Sequence, residues 1–363
     1  MKFVADKGTF RNVISVAQDV ISNNNATSIL SNVLFDVRDG KLTVKAADPA
    51  VKMTAVMPVE MESEGTTTVF CSKLHGILGS LPEAPIVFEK SMDSIESVVK
   101  PEGKRITFRL KTITSEKFPD FTDKELEWTE FPANDFLSGV KTVMKSVSAD
   151  ATRYMMTGVY IEPENGSVNF VGTDGRRLSM KTVEGKAEFK PVIVPVKIFQ
   201  LLDKYSSREG NIRVAFTDEM MYVQTGDFSF STGLIKAQYP AYRRVVPESQ
   251  KYCMKIAVRE LLDSLKRVRV MMDKKTGKVV FSVGNNVLVL KGATDDGDAL
   301  EEMSVSYDGE PMEFALNIQY VMDVLDSADT SCLLMEFSEP MKAVTLRPDG
   351  EDGTVHVIMP MQI

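Results

Sequence analysis

The sequence predicts an α+β protein built from three tandem copies of one sheet-plus-two-helix domain. Three observations carry this. The steps Phe118-Pro119, Tyr239-Pro240 and Met359-Pro360 recur at spacings of 121 and 120 residues in a chain of 363. Such a period exceeds a solenoid repeat and suits a small domain. Two short amphipathic stretches recur in nearly the same step, and alternating strands surround them.

Taken in order, Met1-Lys2-Phe3-Val4-Ala5-Asp6-Lys7 reads as an opening strand and lacks the apolar run of a signal peptide. The first amphipathic stretch follows an opening strand each time, as Phe10-Arg11-Asn12-Val13-Ile14, Phe136-Leu137-Ser138-Gly139-Val140 and Leu261-Leu262-Asp263-Ser264-Leu265. Ile14, Val140 and Leu265 hold one place, 126 and 125 residues apart. The second stretch ends at Leu78, Leu202 and Leu325, with spacings of 124 and 123. Apolar residues at i, i+3, i+4 and i+7 give each a helix with one buried stripe. Lys41-Leu42-Thr43-Val44-Lys45, Val168-Asn169-Phe170-Val171 and Val287-Leu288-Val289-Leu290 read as strands between them. Short polar joints at Asp123-Lys124-Glu125 and Glu248-Ser249-Gln250 divide the chain into domains 1–123, 124–248 and 249–363.

Apolar residues make up 43% of the chain, enough for three ordinary cores, and no apolar run nears the roughly 18 residues of a membrane span. Cys71, Cys253 and Cys332 are odd in number and sit in apolar contexts, so buried free thiols in a reducing cytoplasm are expected. Catalysis finds little support. His75 and His356 are the only histidines and lie in no metal-ligand spacing. Nucleophile-elbow, phosphate-loop and dinucleotide signatures are missing, and no cofactor is implied. Asp295-Asp296-Gly297-Asp298 has part of a calcium-loop pattern, but its glycine comes too early, which leaves a solvated acidic turn. Thr173-Asp174-Gly175-Arg176-Arg177 reads as a tight turn whose glycine supplies positive φ. A carboxylate-dependent enzyme using Asp174 or the Asp295–Asp298 cluster stands as the competing class.

A net charge of −8 argues against nucleic acid until its segregation is considered. Lys141 and Lys145 sit at i, i+4, away from the Val140, Met144, Val147 stripe. The third copy's first helix carries Lys266, Arg267 and Arg269, and Lys73, Lys197 and Lys204 belong to second helices. Lysines on a wet helix face are the plain alternative. Lys104-Arg105-Ile106-Thr107-Phe108-Arg109-Leu110-Lys111 has the pattern of a charge-protected edge strand. Asp295 to Asp298 with Glu301-Glu302 form an acidic face, and Val270-Met271-Met272 an apolar patch. A basic strand at one end and an acidic face at the other suit head-to-tail association into a ring.

Thr173-Asp174-Gly175-Arg176-Arg177-Leu178, Tyr239-Pro240-Ala241-Tyr242-Arg243-Arg244-Val245 and the end Val357-Ile358-Met359-Pro360-Met361-Gln362-Ile363 resemble the bacterial DNA polymerase III beta subunit family, the replicative sliding clamps. The likeness runs the whole length of the chain. It implies the DNA clamp fold in a head-to-tail homodimeric ring, helices lining the hole. Such a ring confers processivity in DNA replication, encircling duplex DNA without reading sequence and without a catalytic site. The resemblance makes Asn25, Lys73, Lys141, Lys145, Arg153, Tyr154, Met155 and Lys197 the DNA-facing set. Polymerase III alpha subunit, clamp loader and other partners would place an extended peptide against Met156, Thr173, Gly175, Arg176, Leu178, Pro240, Arg244, Val245, Val357 and Met359. Asn317, Tyr320, Met341, Pro360 and Met361 would line an adjoining shallow part. The dimer interface would use Arg105, Phe108, Arg109 and Leu110 against Met271, Met272, Asp298, Glu301 and Glu302. Two departures stand out: the Asn23-Asn24-Asn25-Ala26-Thr27 loop offers amides where some relatives carry arginine, and Gln362 replaces a frequent cation.

Overall fold

Each copy opens with a short strand that delivers the chain into an amphipathic helix. The computed structural model describes residues 1–363 apart from 22–27, 92–93, 120, 122–124 and 273–275. The first copy runs β1 (Lys2–Ala5), α1 (Lys7–Val20), β2 (Asn32–Arg38), β3 (Lys41–Ala47), β4 (Val51–Pro58) and β5 (Glu60–Ser63). It continues with β6 (Gly65–Phe70), α2 (Cys71–Ser80), β7 (Ile86–Glu89), β8 (Glu96–Pro101) and β9 (Phe108–Ile113). The second runs β10 (Thr129–Pro132), α3 (Ala133–Met144), β11 (Gly158–Glu164), β12 (Ser167–Thr173) and β13 (Arg177–Glu184). Then come β14 (Val192–Pro195), α4 (Val196–Tyr205), β15 (Asn211–Phe216), β16 (Met220–Thr225) and β17 (Phe228–Gly233). The third runs β18 (Tyr252–Ala257), α5 (Val258–Val268), β19 (Lys278–Gly284), β20 (Val287–Thr294) and β21 (Gly297–Ser304). It ends with β22 (Met312–Asn317), α6 (Ile318–Ser327), β23 (Cys332–Phe337), β24 (Val344–Pro348) and β25 (Thr354–Ile358). Apart from the added β5, the order strand, helix, four strands, helix, three strands occurs three times.

The helices bury the stripe that their spacing predicts. Ile14, Val140 and Leu265 are fully buried, as are Leu74, Leu78, Ile198, Leu202 and Val321. Asp6 caps α1 by accepting from Thr9 N at 2.8 Å, and Asn317 caps α6 from Gln319 N at 2.9 Å. Glycines let α3 lie close on β12. A Cβ at Gly172 would stand 2.3 Å from Val143 O, and one at Gly139 would meet the Phe170 ring at 2.7 Å.

The chain forms two compact units, Met1–Asn134 with Lys197–Leu234, and Asp135–Val196 with Ile235–Ile363. The second copy therefore contributes to both. Among the described residues the first unit holds a 13-stranded sheet, β10-β15-β16-β17-β4-β3-β2-β6-β9-β8-β7-β1-β5. The other holds an eight-stranded sheet, β14-β11-β12-β13-β25-β24-β23-β18, and a four-stranded one, β21-β20-β19-β22. A rule emerges from these orders. The third of the middle strands in one copy pairs with the last strand of the next copy, antiparallel: β4 with β17, and β13 with β25.

Three sequence expectations change. The 104–111 strand begins only at Phe108, and Lys104 and Arg105 lie in the bend before it. Over 108–111, β9 pairs with β8 on one side; on the other it meets β6 only at Thr112 and Ile113. Met272 is buried in the third copy's core, so the apolar patch rests on Val270 and Met271 alone. Cys71 is buried, which pushes its thiol up to about 12, but Cys253 is exposed and Cys332 half-buried. Strand alternation explains Cys253, since β18 turns Met254 and Ile256 to the core and Cys253 and Lys255 away.

Candidate functional site

The β12–β13 turn is held by its own side chains. Gly175 takes φ +84°, a conformation that L side chains rarely adopt. Asp174 Oδ1 accepts from Arg176 N at 2.8 Å and Arg177 N at 3.0 Å, while Thr173 Oγ1 donates to Arg177 O at 2.6 Å. Asp174 is thus a turn-former whose second oxygen takes Arg177 Nε at 3.1 Å. Asp295 and Asp296 are exposed at the tip of the β20–β21 hairpin. Among the described residues no group of His, Cys, Asp and Glu is arranged to hold a metal ion.

The C-terminal segment docks beside this turn. Leu178 pairs with Val357, and Met359 N donates to Arg176 O at 2.9 Å. Met361 N then reaches Ala315 O at 2.8 Å, which ties the chain end to β22. Between turn, tail and the 240–245 segment lies a pocket of about 150 Å³. Met156, Thr173, Gly175, Arg176, Leu178, Pro240, Val245, Val357 and Met359 line it, nine residues of the expected groove. Arg177, Ala241 and Tyr242 line it too and were not expected. Behind it Tyr160 stacks on Tyr239 at 4.5 Å, and Tyr242 donates to Glu162 Oε2 at 2.6 Å. Burial raises the Tyr239 and Tyr242 hydroxyls well above the usual phenol range.

The remaining groove candidates lie outside this lining. Arg244 and Met341 are exposed, Pro360 and Met361 half-buried. Asn317 is occupied as the α6 cap, and the Tyr320 ring lies 4.3 Å beneath the Arg177 guanidinium. Arg177 is the hub that sequence reading missed. It bonds Asp174, Asp323 Oδ2 at 2.6 Å and Lys145 O, with only 11% of its side chain exposed. Beneath the site a fully buried chain runs Ser146 Oγ, Ser179 Oγ, His356 Nδ1, with links of 2.7 and 2.8 Å. Burial pushes the His356 imidazole down to about 4.

The cationic candidates divide. Lys73 is exposed on α2. Lys141 Nζ meets Asp329 and Lys145 Nζ meets Asp326, each at 3.2 Å. Lys197 is spent on packing, donating to Val20 O at 2.7 Å and to the buried Asp48. Arg153 Nη1 bonds Asp174 O at 3.0 Å, and Met155 packs against the pocket's core, so the Ala151–Met156 turn belongs with the pocket; Tyr154 is exposed. Asn25, with the 23–27 loop, lies outside the described residues. Of the interface candidates, Glu301 is held by Arg267 through both Nε and Nη2. Asp298 and Glu302 are exposed on β21; Arg109 is exposed on β9, as is Arg105 in the bend before it.

Comparison with known proteins decides the family. The DNA polymerase III beta subunit N-terminal domain model matches residues 1–122, the central-domain model 130–241 and the C-terminal-domain model 243–362. The chain belongs to the DNA polymerase III beta subunit family. Its function is that of a processivity clamp in DNA replication. The beta sliding clamp of Treponema pallidum is 35% identical over 371 residues, covering all of both chains. That of Escherichia coli K12 is 26% identical, again over both complete lengths. In fold, it is similar to the DNA polymerase III subunit beta of Borrelia burgdorferi, solved with a natural product, with TM-score 0.94 at 23% identity and full coverage of both. The Pseudomonas aeruginosa subunit gives 0.90, also at 23% and full coverage.

Proposed function

We propose that two copies of this chain, each of three domains over 1–123, 124–248 and 249–363, close head to tail into a ring around duplex DNA. The observation that carries this is the strand-pairing rule. β4 takes β17 and β13 takes β25, which among the described residues leaves β21 paired with β20 alone and β9 open along 108–111. By the same rule β21 takes β9 of a second subunit, and the circle closes after six domains. Charge favours the match, Arg105 and Arg109 facing Asp298 and Glu302. Phe108 and Leu110 supply apolar contact; Glu301 serves its own subunit.

The helices follow a parallel rule. Asp19 of the first copy pairs with Lys204 of the second, and Lys145 of the second with Asp326 of the third. Val270 holds the place of Asp19 and Lys145, five residues past Leu265 as they are past Ile14 and Val140, and is 80% exposed. A partner subunit covers it in this reading. Lys73, Lys141 and Lys145 then meet phosphates without reading bases.

The pocket takes an extended peptide with large apolar side chains from the polymerase alpha subunit, the clamp loader or other DNA-processing proteins. Asn317, Tyr320, Met341, Pro360 and Met361 form its shallow continuation, and the exposed Arg176 favours a carboxylate in the ligand. Flexible thioethers at Met156 and Met359 let one pocket serve several partners. The protein works in the cytoplasm and has no catalytic site of its own. Light scattering should give a dimer, and Arg105→Glu with Arg109→Glu should give monomers. Once loaded, the ring should stay on nicked circular DNA and leave when the circle is cut. A wild-type monomer, or equal loss from circle and line, refutes the ring.

A further inference from the structure

Three carboxylates on the second half of α6 and just past it form a ladder against the second copy. Asp323 Oδ2 meets Arg177 at 2.6 Å, Asp326 meets Lys145 at 3.2 Å and Asp329 meets Lys141 at 3.2 Å. The carboxylate side chains are 15%, 43% and 61% exposed in that order. The innermost rung is therefore structural. The outer two are ion pairs in water, whose strength is small and easily exchanged. Lys204 with Asp19 is a similar pair where α4 meets α1, with acid and base exchanged between the helices.

We propose that Asp326 and Asp329 act as internal stand-ins for phosphate on the DNA-facing side of α3. They hold Lys141 and Lys145 when no phosphate is near and release them when one arrives. Each protein–DNA contact is then an exchange of partners with little net gain. A grip of that kind is weak at every position along the duplex, as a ring that slides requires. It also keeps both lysines extended and clear of other acceptors between contacts. The inference rests on the reading that α3 faces DNA.

The test is anisotropy of a short fluorescein-labelled duplex titrated with the full-length dimer over a range of salt. Lys141→Ala with Lys145→Ala should weaken binding and flatten the salt slope by about 0.9 for each lysine. Asp326→Asn with Asp329→Asn should tighten binding about two- to thirtyfold, since two exposed pairs no longer compete. Asp308→Asn with Asp352→Asn changes the net charge equally at exposed positions and should leave affinity near the wild-type value. If the lysine variant weakens binding but the Asp326, Asp329 variant does no more than this control, the stand-in role is refuted. If the lysine variant binds as wild type, the reading that α3 faces DNA falls, and the proposal with it.

Discussion

Replacing Arg177 by Met tests whether the pocket wall depends on the hub beneath it. The change keeps an unbranched stem and removes the charge. Asp174 and Asp323 are only 16% and 15% exposed, so both lose a partner where water cannot replace it. Stranding one member of a buried pair costs about 3–5 kcal/mol. The lost bond to Lys145 O, about 1 kcal/mol, and the stacking on Tyr320, of similar size, fall within that range because such terms do not add. For a compact unit of this length, about 190 residues, each kcal/mol moves the melting temperature by about 2–4 °C. Calorimetry should thus show a drop of roughly 6–20 °C in one transition. Adding Asp323→Leu should recover part of it, because a well-packed apolar pair can replace a buried ion pair at little cost. Peptide affinity should fall in the single variant, since the turn loses its anchor. A drop under about 4 °C, or a double variant no better than the single one, refutes the reasoning.

Other perturbations give separate readouts. Met359→Ala removes a half-exposed pocket wall and should weaken peptide binding about tenfold in titration calorimetry, with dimerisation intact; unchanged affinity means the ligand sits elsewhere. His356 is neutral in the fold, with its folded value about 4 and its unfolded value near 6.5. Its contribution is complete above the unfolded value and is lost as pH falls toward the folded one. About 2 kcal/mol should disappear between roughly pH 7 and pH 5 in urea titrations, and His356→Gln should flatten that slope. An equal slope in both proteins shows that other groups titrate there.

The threefold architecture was legible because its signals are local. Ile14, Val140 and Leu265 recur on apolar faces of period 3.6, and those faces are buried in all three copies. Much of the pocket lining was also legible, though through resemblance: the Thr173 to Leu178 turn and the apolar chain end carry recognisable residues. Arg177 escaped because nothing local distinguishes it from Arg176, its neighbour. One points outward and the other takes Asp323, 146 residues away in sequence. The expectation of buried Cys253 failed for a related reason, since an apolar neighbourhood does not say which way a strand residue points.

By itself, the amino-acid order determined the periodic helices and strands, the glycine-dependent turn and the family, because each depends on residues close in the chain or on motifs read directly. Tertiary structure alone decided which charges are free. Lys141 and Lys145 look like open cations in sequence, yet their acids lie 188 and 181 residues away, brought near only when β13 pairs with β25 and α6 comes to rest beside α3. Electrostatic partnership depends on distance through space, and strand pairing between copies sets that distance.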